Sequence, residues 1–270
     1  MKSIEPPPPG VPSTVYTREY FETNCDGYRE FDATQGRELP LRMRLATELA
    51  EIGPGRMVLD VGCGRGEIII HSARQGATAW GLDYATEGLR LAGSALSSLN
   101  DEQARARIAL QQADARRLPF GSETIDVVFM LDVVEHLYPQ ELAETLSEIR
   151  RVLRPAGKLV VHTMPNLWYY RFGYPAFRVF QRLRGHRLPA DPRDRWALAH
   201  EVHVNEQTPP SLRKALEAQG FQARVWLRST QTYDNVASGY VRWGMRFLAG
   251  AYPFRWVFCN DIFAVAHKVQ

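Results

Sequence analysis

The 270-residue chain has little cysteine. Cys25, Cys63 and Cys259 stand far apart, and none belongs to a CxxC pair. That spacing argues against a disulfide framework or a zinc site and suits a reducing compartment. Strong charge of one sign is also missing: 33 Lys and Arg against 30 Asp and Glu leave a formal net charge of only +3. Bulk charge therefore gives no reason to expect nucleic acid as a partner. No run of about 18 apolar residues occurs, so no membrane-spanning helix is expected. The amino terminus, MKSIEPPPPG, has no apolar stretch and does not read as a signal peptide. A cytoplasmic protein is expected. The Pro6–Pro9 run reads as an extended lead-in, and no internal repeat is found.

What is present is an alternation. The length allows one large α/β domain or two small ones. A helix over 37–52 places Leu41, Leu45, Leu49 and Ile52 on one face and stops at Gly53-Pro54-Gly55. Strands follow at 57–61, 77–83, 107–112, 124–131 and 158–163, with helices at 68–75, 86–99 and 139–153. Strands that are apolar throughout, alternating with helices, predict a parallel sheet covered on both faces. After Pro165 the rhythm breaks into a stretch rich in Trp, Tyr, Phe, Arg and Pro, read as short helices and loop. A helix at 208–219, a strand at 221–228, a helix at 236–252 and a last strand at 256–268 complete the chain.

The stretch VLDVGCGRGE, residues 58–67, places three glycines at alternate positions after a short strand. A strand, a glycine turn and a helix form a corner where a ligand can approach the backbone and meet unpaired N–H groups. A dinucleotide asks for GxGxxG. Here Gly62-x-Gly64-x-Gly66 brings the third glycine one place early and is followed by Glu67, whose charge repels phosphate. The mismatch favours a cofactor without phosphates, such as S-adenosylmethionine. Asp83 ends the next strand, at the distance where a carboxylate accepts from ribose hydroxyls, or caps the following helix. Asp60, just before the glycines, needs partners if buried; the turn's backbone N–H groups and a cofactor amino group are suitable.

With these residues the chain resembles the class I S-adenosylmethionine-dependent methyltransferases. VLDVGCGRGE, GLDYA (81–85), ADARRLPF (113–120), IDVVFMLDVVEHL (125–137) and LRPAGKLVV (153–161) match that family's motifs in order, over roughly residues 40–165. The resemblance implies a Rossmann-like, doubly wound sheet of seven strands, mostly parallel with an antiparallel last strand, and helical cap insertions. Residues 1–36 would form an amino-terminal arm or lid, with Tyr16, Tyr20 and Phe21 closing over the cofactor. Residues 37–270 would form the methyltransferase domain, with a cap insertion at 164–205 and a second variable segment at 229–255. Asp114 is implied to accept from the adenine amino group, although an Asx turn is an alternative. Ala115 and Leu131 fall in the same cofactor motifs. Tyr84 stacks beside the adenine or packs on the domain.

A hydroxyl acceptor needs a base. His136, at the mouth of the fourth strand, is one candidate; it and Glu135 alternatively fix the turn or contact the cofactor. His203, in HEVHVNEQTP (200–209), is the other, with packing or capping as the alternative. His200 and His203 with Asp132 make only a weak metal pattern, and no metal is expected. The segments at 166–196 and 239–258 interleave aromatics with arginines. They suit a phosphate or sugar-nucleotide acceptor, an anionic membrane surface at the inner face, or a plain helical cap. The expected reaction is O-methylation of a sugar, lipid-linked or small-molecule hydroxyl, with S-adenosylhomocysteine as product. Alternatives are N- or C-methylation of a small metabolite and a non-catalytic cofactor-binding partner subunit. A nucleic-acid methyltransferase is disfavoured, because Asp132-Val133-Val134-Glu135 stands where an Asn-Pro-Pro-Tyr-type motif would be.

Overall fold

The computed structural model describes residues 10–25, 27–231 and 238–269. The Pro6–Pro9 run and residues 232–237 of the second variable segment lie outside them. Two short helices open the chain, α1 (Arg18–Thr23) and α2 (Tyr28–Thr34), then α3 (Leu41–Ala50). Strands and helices alternate from there: β1 (Met57–Val61), α4 (Glu67–Arg74), β2 (Thr78–Asp83), α5 (Thr86–Ser97), a one-turn α6 (Glu102–Arg105), β3 (Ile108–Gln112), β4 (Ile125–Leu131), α7 (Pro139–Val152) and β5 (Leu153–Thr163). The cap follows, with a π-helical turn at Tyr169–Gly173, α8 (Tyr174–Leu183) and α9 (Ala199–Val202). Then come α10 (Pro209–Ala218), β6 (Phe221–Leu227), α11 (Gly239–Gly250), α12 (Arg255–Phe258) and β7 (Ile262–Lys268).

The seven strands form one sheet in the order β3-β2-β1-β4-β5-β7-β6. The first five are parallel, and β7 runs antiparallel to both β5 and β6. Alternate residues of β4 serve opposite faces, as the pleat requires. Val128 and Met130 pack with Leu142, Leu146 and Ile149 of α7; Val127 and Phe129 pack with Ala46 of α3 and Ile68–Ile70 of α4. All of these side chains are buried. Each buried isoleucine of α4 contributes about 1.5–3 kcal/mol of apolar transfer, which seats that helix against the sheet. Strand order reverses between β1 and β4, so a crevice opens at their carboxyl ends.

Several boundaries differ from expectation: α3 covers Leu41–Ala50 within the expected 37–52, α11 ends at Gly250 rather than 252, and the two largest differences are in strands. β5 begins at Leu153, not residue 158, because Leu153 pairs with Ile125 before the Arg154–Gly157 excursion shifts the register. The expected last strand over 256–268 is divided: residues up to Phe258 form α12, and pairing starts at Ile262. The amides of Val257 and Phe258 bond to the Phe254 carbonyl, which removes them from the ladder.

Candidate functional site

The glycine turn leaves β1 with φ angles of +75° at Gly62, +46° at Gly64 and +87° at Gly66, the region that disfavours side chains. A Cβ on Gly62 would lie 2.5 Å from Val133 Cγ2, so the turn sits directly against the exit of β4. Gly62 N–H and Cys63 N–H donate to the Leu82 carbonyl. Asp83, buried at the end of β2, accepts from Gly64 N–H and Ala85 N–H at 2.8 Å each. Its carboxylate ties the turn to the head of α5, and each oxygen keeps a second lone pair. Burial raises its pKa against these two hydrogen bonds.

Asp60 does not use the turn's amides, contrary to one expectation. Gly62 and Cys63 bond to Leu82, Gly64 to Asp83 and Gly66 to the Cys63 carbonyl. Its buried carboxylate takes no hydrogen bond from any described residue. Burial, then the charges of Glu67 and Asp83, push its pKa well up. A buried carboxyl without a partner is costly in its charged form, so this one is held protonated by its surroundings. Glu67 requires a second correction. Its carboxylate pairs with Arg65 at 2.8 Å, and both are buried, so its charge is neutralised locally. Glycine spacing, not Glu67 repulsion, therefore separates this turn from a dinucleotide site.

Arg65 also binds the amino-terminal arm. Its guanidinium donates to the carbonyls of Phe21 and Cys25 and lies over the rings of Tyr28 and Phe31. Tyr16, Tyr20 and Phe21 are buried against Ala85, Leu91 and Val202 beside the turn. Tyr84 donates its hydroxyl to the Val11 carbonyl, and its ring lies 5.5 Å from Tyr16, edge to face. Asp114 forms the Asx turn, accepting from Arg116 N–H at 2.8 Å, and also pairs with the Arg116 guanidinium at 2.6 Å. That guanidinium outweighs burial and holds the carboxyl below its usual range.

Glu135 and His136 hold the turn that carries His203. The Glu135 carbonyl accepts from Val204 N–H and Asn205 N–H, and His136 Nδ1–H donates to the Val202 carbonyl at 3.0 Å. That bond fixes the tautomer and leaves Nε2 as the acceptor. The Glu135 carboxyl accepts from Thr163 Oγ1 at 2.7 Å; burial, then the Asp132 charge, push it up to about 8. His203 is half-buried, 5.2 Å from the His136 ring, and its Nδ1 is buried without a partner among the described residues. Burial lowers His203 to about 4 and His136 to about 3, so both rings are neutral at pH 7. His200 instead pairs with exposed Asp194 at 2.8 Å. Among the described residues no group of three or more His, Cys, Asp or Glu is arranged to hold a metal.

A charged chain that sequence reasoning missed runs from the cavity wall, which Arg42 and Asp132 line, into the sheet beneath it. Asp132, at φ +56°, accepts from Arg42 at 2.8 Å and from His162 Nδ1 at 2.5 Å. His162 Nε2 faces Asp261, which also holds Thr230. Burial lowers the imidazole, but the Asp132 charge and hydrogen bond, helped by Asp261, hold it up at about 10. Arg42 and His162 sit within apolar patterns in the sequence, and their partners lie 90 and 30 residues away. Only the unpaired polarity of each residue in such a run hinted at them.

One cavity of about 1640 Å³ joins these parts. Gly62, Gly64, Asp83, Tyr84, Asp114, Ala115 and Leu131 line one end. His136 and His203 lie along it, and Tyr169, Phe177, Met245 and Phe258 of the cap line the other end.

Residues 59–161 match a methyltransferase domain family. An uncharacterized methyltransferase of Synechocystis sp. is 31% identical over 147 residues, 52% of this chain and 61% of that protein. A 27-O-demethylrifamycin SV methyltransferase of Amycolatopsis mediterranei is 30% identical over 125 residues, 44% of this chain and 43% of that one. The matches thus span less than two thirds of these curated relatives. The structure of geranyl diphosphate C-methyltransferase from Streptomyces coelicolor, in complex with Mg2+, geranyl diphosphate and S-adenosyl-L-homocysteine, superposes with a TM-score of 0.58. It is 15% identical, covering 84% of this chain and 78% of that one. The matched segment, the sheet order and the glycine corner agree: residues 59–161 match a methyltransferase domain on a methyltransferase-like fold, and the chain is similar to the class I S-adenosylmethionine-dependent methyltransferases.

Proposed function

We propose that this protein transfers the methyl group of S-adenosylmethionine to a hydroxyl on a sugar, glycolipid or small metabolite and releases S-adenosylhomocysteine. The observation that carries this reading is the single cavity running from Asp83 and the glycine turn, past His203, to the aromatic cap. Its volume exceeds the roughly 300–1,000 Å³ that one small ligand needs, so cofactor and acceptor fit together. The lining residues suit the cofactor: Asp83 would hold its ribose hydroxyls, whereas Asp60 and Gly66 are buried and do not line the cavity. Asp114, Ala115, Leu131 and Tyr84 would border the adenine. Bound there, the sulfonium supplies an already activated methyl group.

The chain's own residues then have three tasks. The arm, with Tyr16, Tyr20 and Phe21, covers the corner and excludes water. The cap positions the acceptor oxygen behind the methyl. His203, neutral and lining the cavity, takes the hydroxyl proton as the new carbon–oxygen bond forms, then passes it to solvent. His136 is the strut that holds the His203 turn.

The low basicity of both rings favours a second reading, transfer to a nitrogen or carbon that needs little base. The test is methyl-labelled S-adenosylmethionine incubated with purified protein and host extract, with products split into lipid, small polar and macromolecular fractions. Label that disappears with His203→Ala, while cofactor affinity is kept, supports the hydroxyl reading. Label that persists in a His136→Ala/His203→Ala double variant moves the assignment to nitrogen or carbon. No label with cofactor bound defeats both and leaves a binding subunit.

A further inference from the structure

The two cap helices carry apolar side chains on both faces. On α8, Phe177 and Phe180 line the cavity, while Val179 and Leu183 are 61% and 82% exposed. On α11, Val241, Met245 and Leu248 line the cavity, while Trp243 is 69% exposed and stacks on exposed Phe247. Inner faces at this spacing are ordinary core packing. Apolar outer faces are not, because a cap that ends in water would carry polar residues there. Phe180 and Tyr240 belong to the cavity lining and are also exposed, at 42% and 91%. Lining the cavity and reaching solvent at once, they place part of its rim on these two helices.

Charge accompanies this surface. Residues 164–190 contain five arginines and no carboxylate, and residues 238–260 contain three and none, although the whole chain carries only +3. Arg178 and Arg182 run along α8 one residue behind Val179 and Leu183, and both are exposed. A second copy meeting this face across a two-fold axis would bring arginine patches together. An anionic surface with an apolar interior complements both features at once.

We infer that α8 and α11 dock on an anionic lipid surface and that the acceptor carries an apolar chain which enters the cavity between them from the bilayer. The acceptor half of this inference rests on the methyl-transfer reading; the docking half does not. In this arrangement Leu183, Trp243 and Phe247 sit at the headgroup boundary and Arg178 and Arg182 face lipid phosphates. No helix among the described residues is long and apolar enough to cross a membrane, so the contact lies on one leaflet.

The test is flotation of the purified protein with phosphatidylcholine vesicles, with and without one third phosphatidylglycerol. Binding is expected only to the anionic vesicles and is expected to fall with added salt. A Leu183→Glu/Trp243→Glu variant should bind them about tenfold or more weakly, with cofactor affinity and circular dichroism unchanged. An Arg178→Glu/Arg182→Glu variant should weaken binding similarly while leaving the apolar face intact. Absence of flotation, or equal flotation of all variants, overturns the inference. So does a stable dimer, seen by light scattering, that the Leu183/Trp243 changes dissociate without any vesicle binding. Label transfer into the small polar fraction by a protein that fails to float keeps the methyl-transfer reading and removes the lipid one. Flotation without any label transfer keeps the docking surface and removes the reaction.

Discussion

The glycine corner and the aromatic cap share one cavity but are held together differently. In the corner, charged and polar groups are buried or half-buried and mostly paired: Asp83 on two backbone amides, Glu67 on Arg65, half-buried Asp132 on Arg42 and His162. Each group is placed by a hydrogen bond whose loss leaves a buried orphan, so the corner tolerates little change. In the cap, aromatic side chains supply the lining and much of the outer surface, and the arginines lie at the rim. Apolar contact has no direction, so such a surface can accept varied partners at modest cost per residue. A rigid half suits an invariant cofactor, and an adaptable half suits the acceptor.

The largest expected effect tests the rigid half. Asp83→Ala removes the acceptor of two backbone amides and, on the proposed reading, of the ribose; cofactor affinity by calorimetry should then fall about a thousandfold. Unchanged affinity would show that the corner is not the cofactor's end. Next is the junction of the two halves. His203→Ala should lower kcat about a hundredfold with cofactor affinity retained, and His136→Ala about tenfold through the loosened turn. If His136→Ala proves the more damaging, the base and the strut have been assigned the wrong way round.

A smaller effect is expected at the arm. Arg65→Met strips the Phe21 and Cys25 carbonyls of their donor and leaves Glu67 buried without its partner. Cofactor Kd should rise about tenfold, and limited proteolysis should cleave the arm faster. Equal proteolysis rates would show that the arm is held by its aromatic packing alone.

The least effect, on stability, concerns pH, and the two halves of the site act in opposite senses. His162 is held at about 10, above its ordinary 6.5, so the folded state binds more protons between those values. Its contribution is complete below pH 6.5 and is lost as pH rises toward 10. His136 and His203 are lowered, so the unfolded chain binds more protons below 6.5. Their contribution is present above 6.5 and is lost as pH falls toward 4. Melting temperature should therefore decline on both sides of neutrality. His162→Asn should flatten the alkaline side alone; an unchanged alkaline limb would remove His162 as its cause.

Much of the corner was legible in the sequence because its information is local. Glycines at fixed spacing, a carboxylate ending the next strand and apolar strands between helices each occupy a short window, and the sheet follows from their alternation. The charged chain running from the cavity wall into the sheet was not legible. Arg42 lies in a helix whose apolar face alone was counted, and His162 in a strand of valines. Their roles come from Asp132 and Asp261, which the sheet brings beside them. The role of Glu67 was misread for the same reason: its charge was visible but Arg65's orientation was not.

By itself, the sequence determined the alternation of strands and helices, the likeness to a methyltransferase domain and the position of the glycine corner. Backbone requirements and hydrophobic periods are properties of neighbouring residues. Only the tertiary structure decided which carboxylates are paired, that His136 braces the turn of His203, and that the cap is apolar on its outer face as well as its inner one. Burial and hydrogen-bond partnership depend on which distant segments meet, and that is settled when the sheet closes the arm and the cap around one cavity.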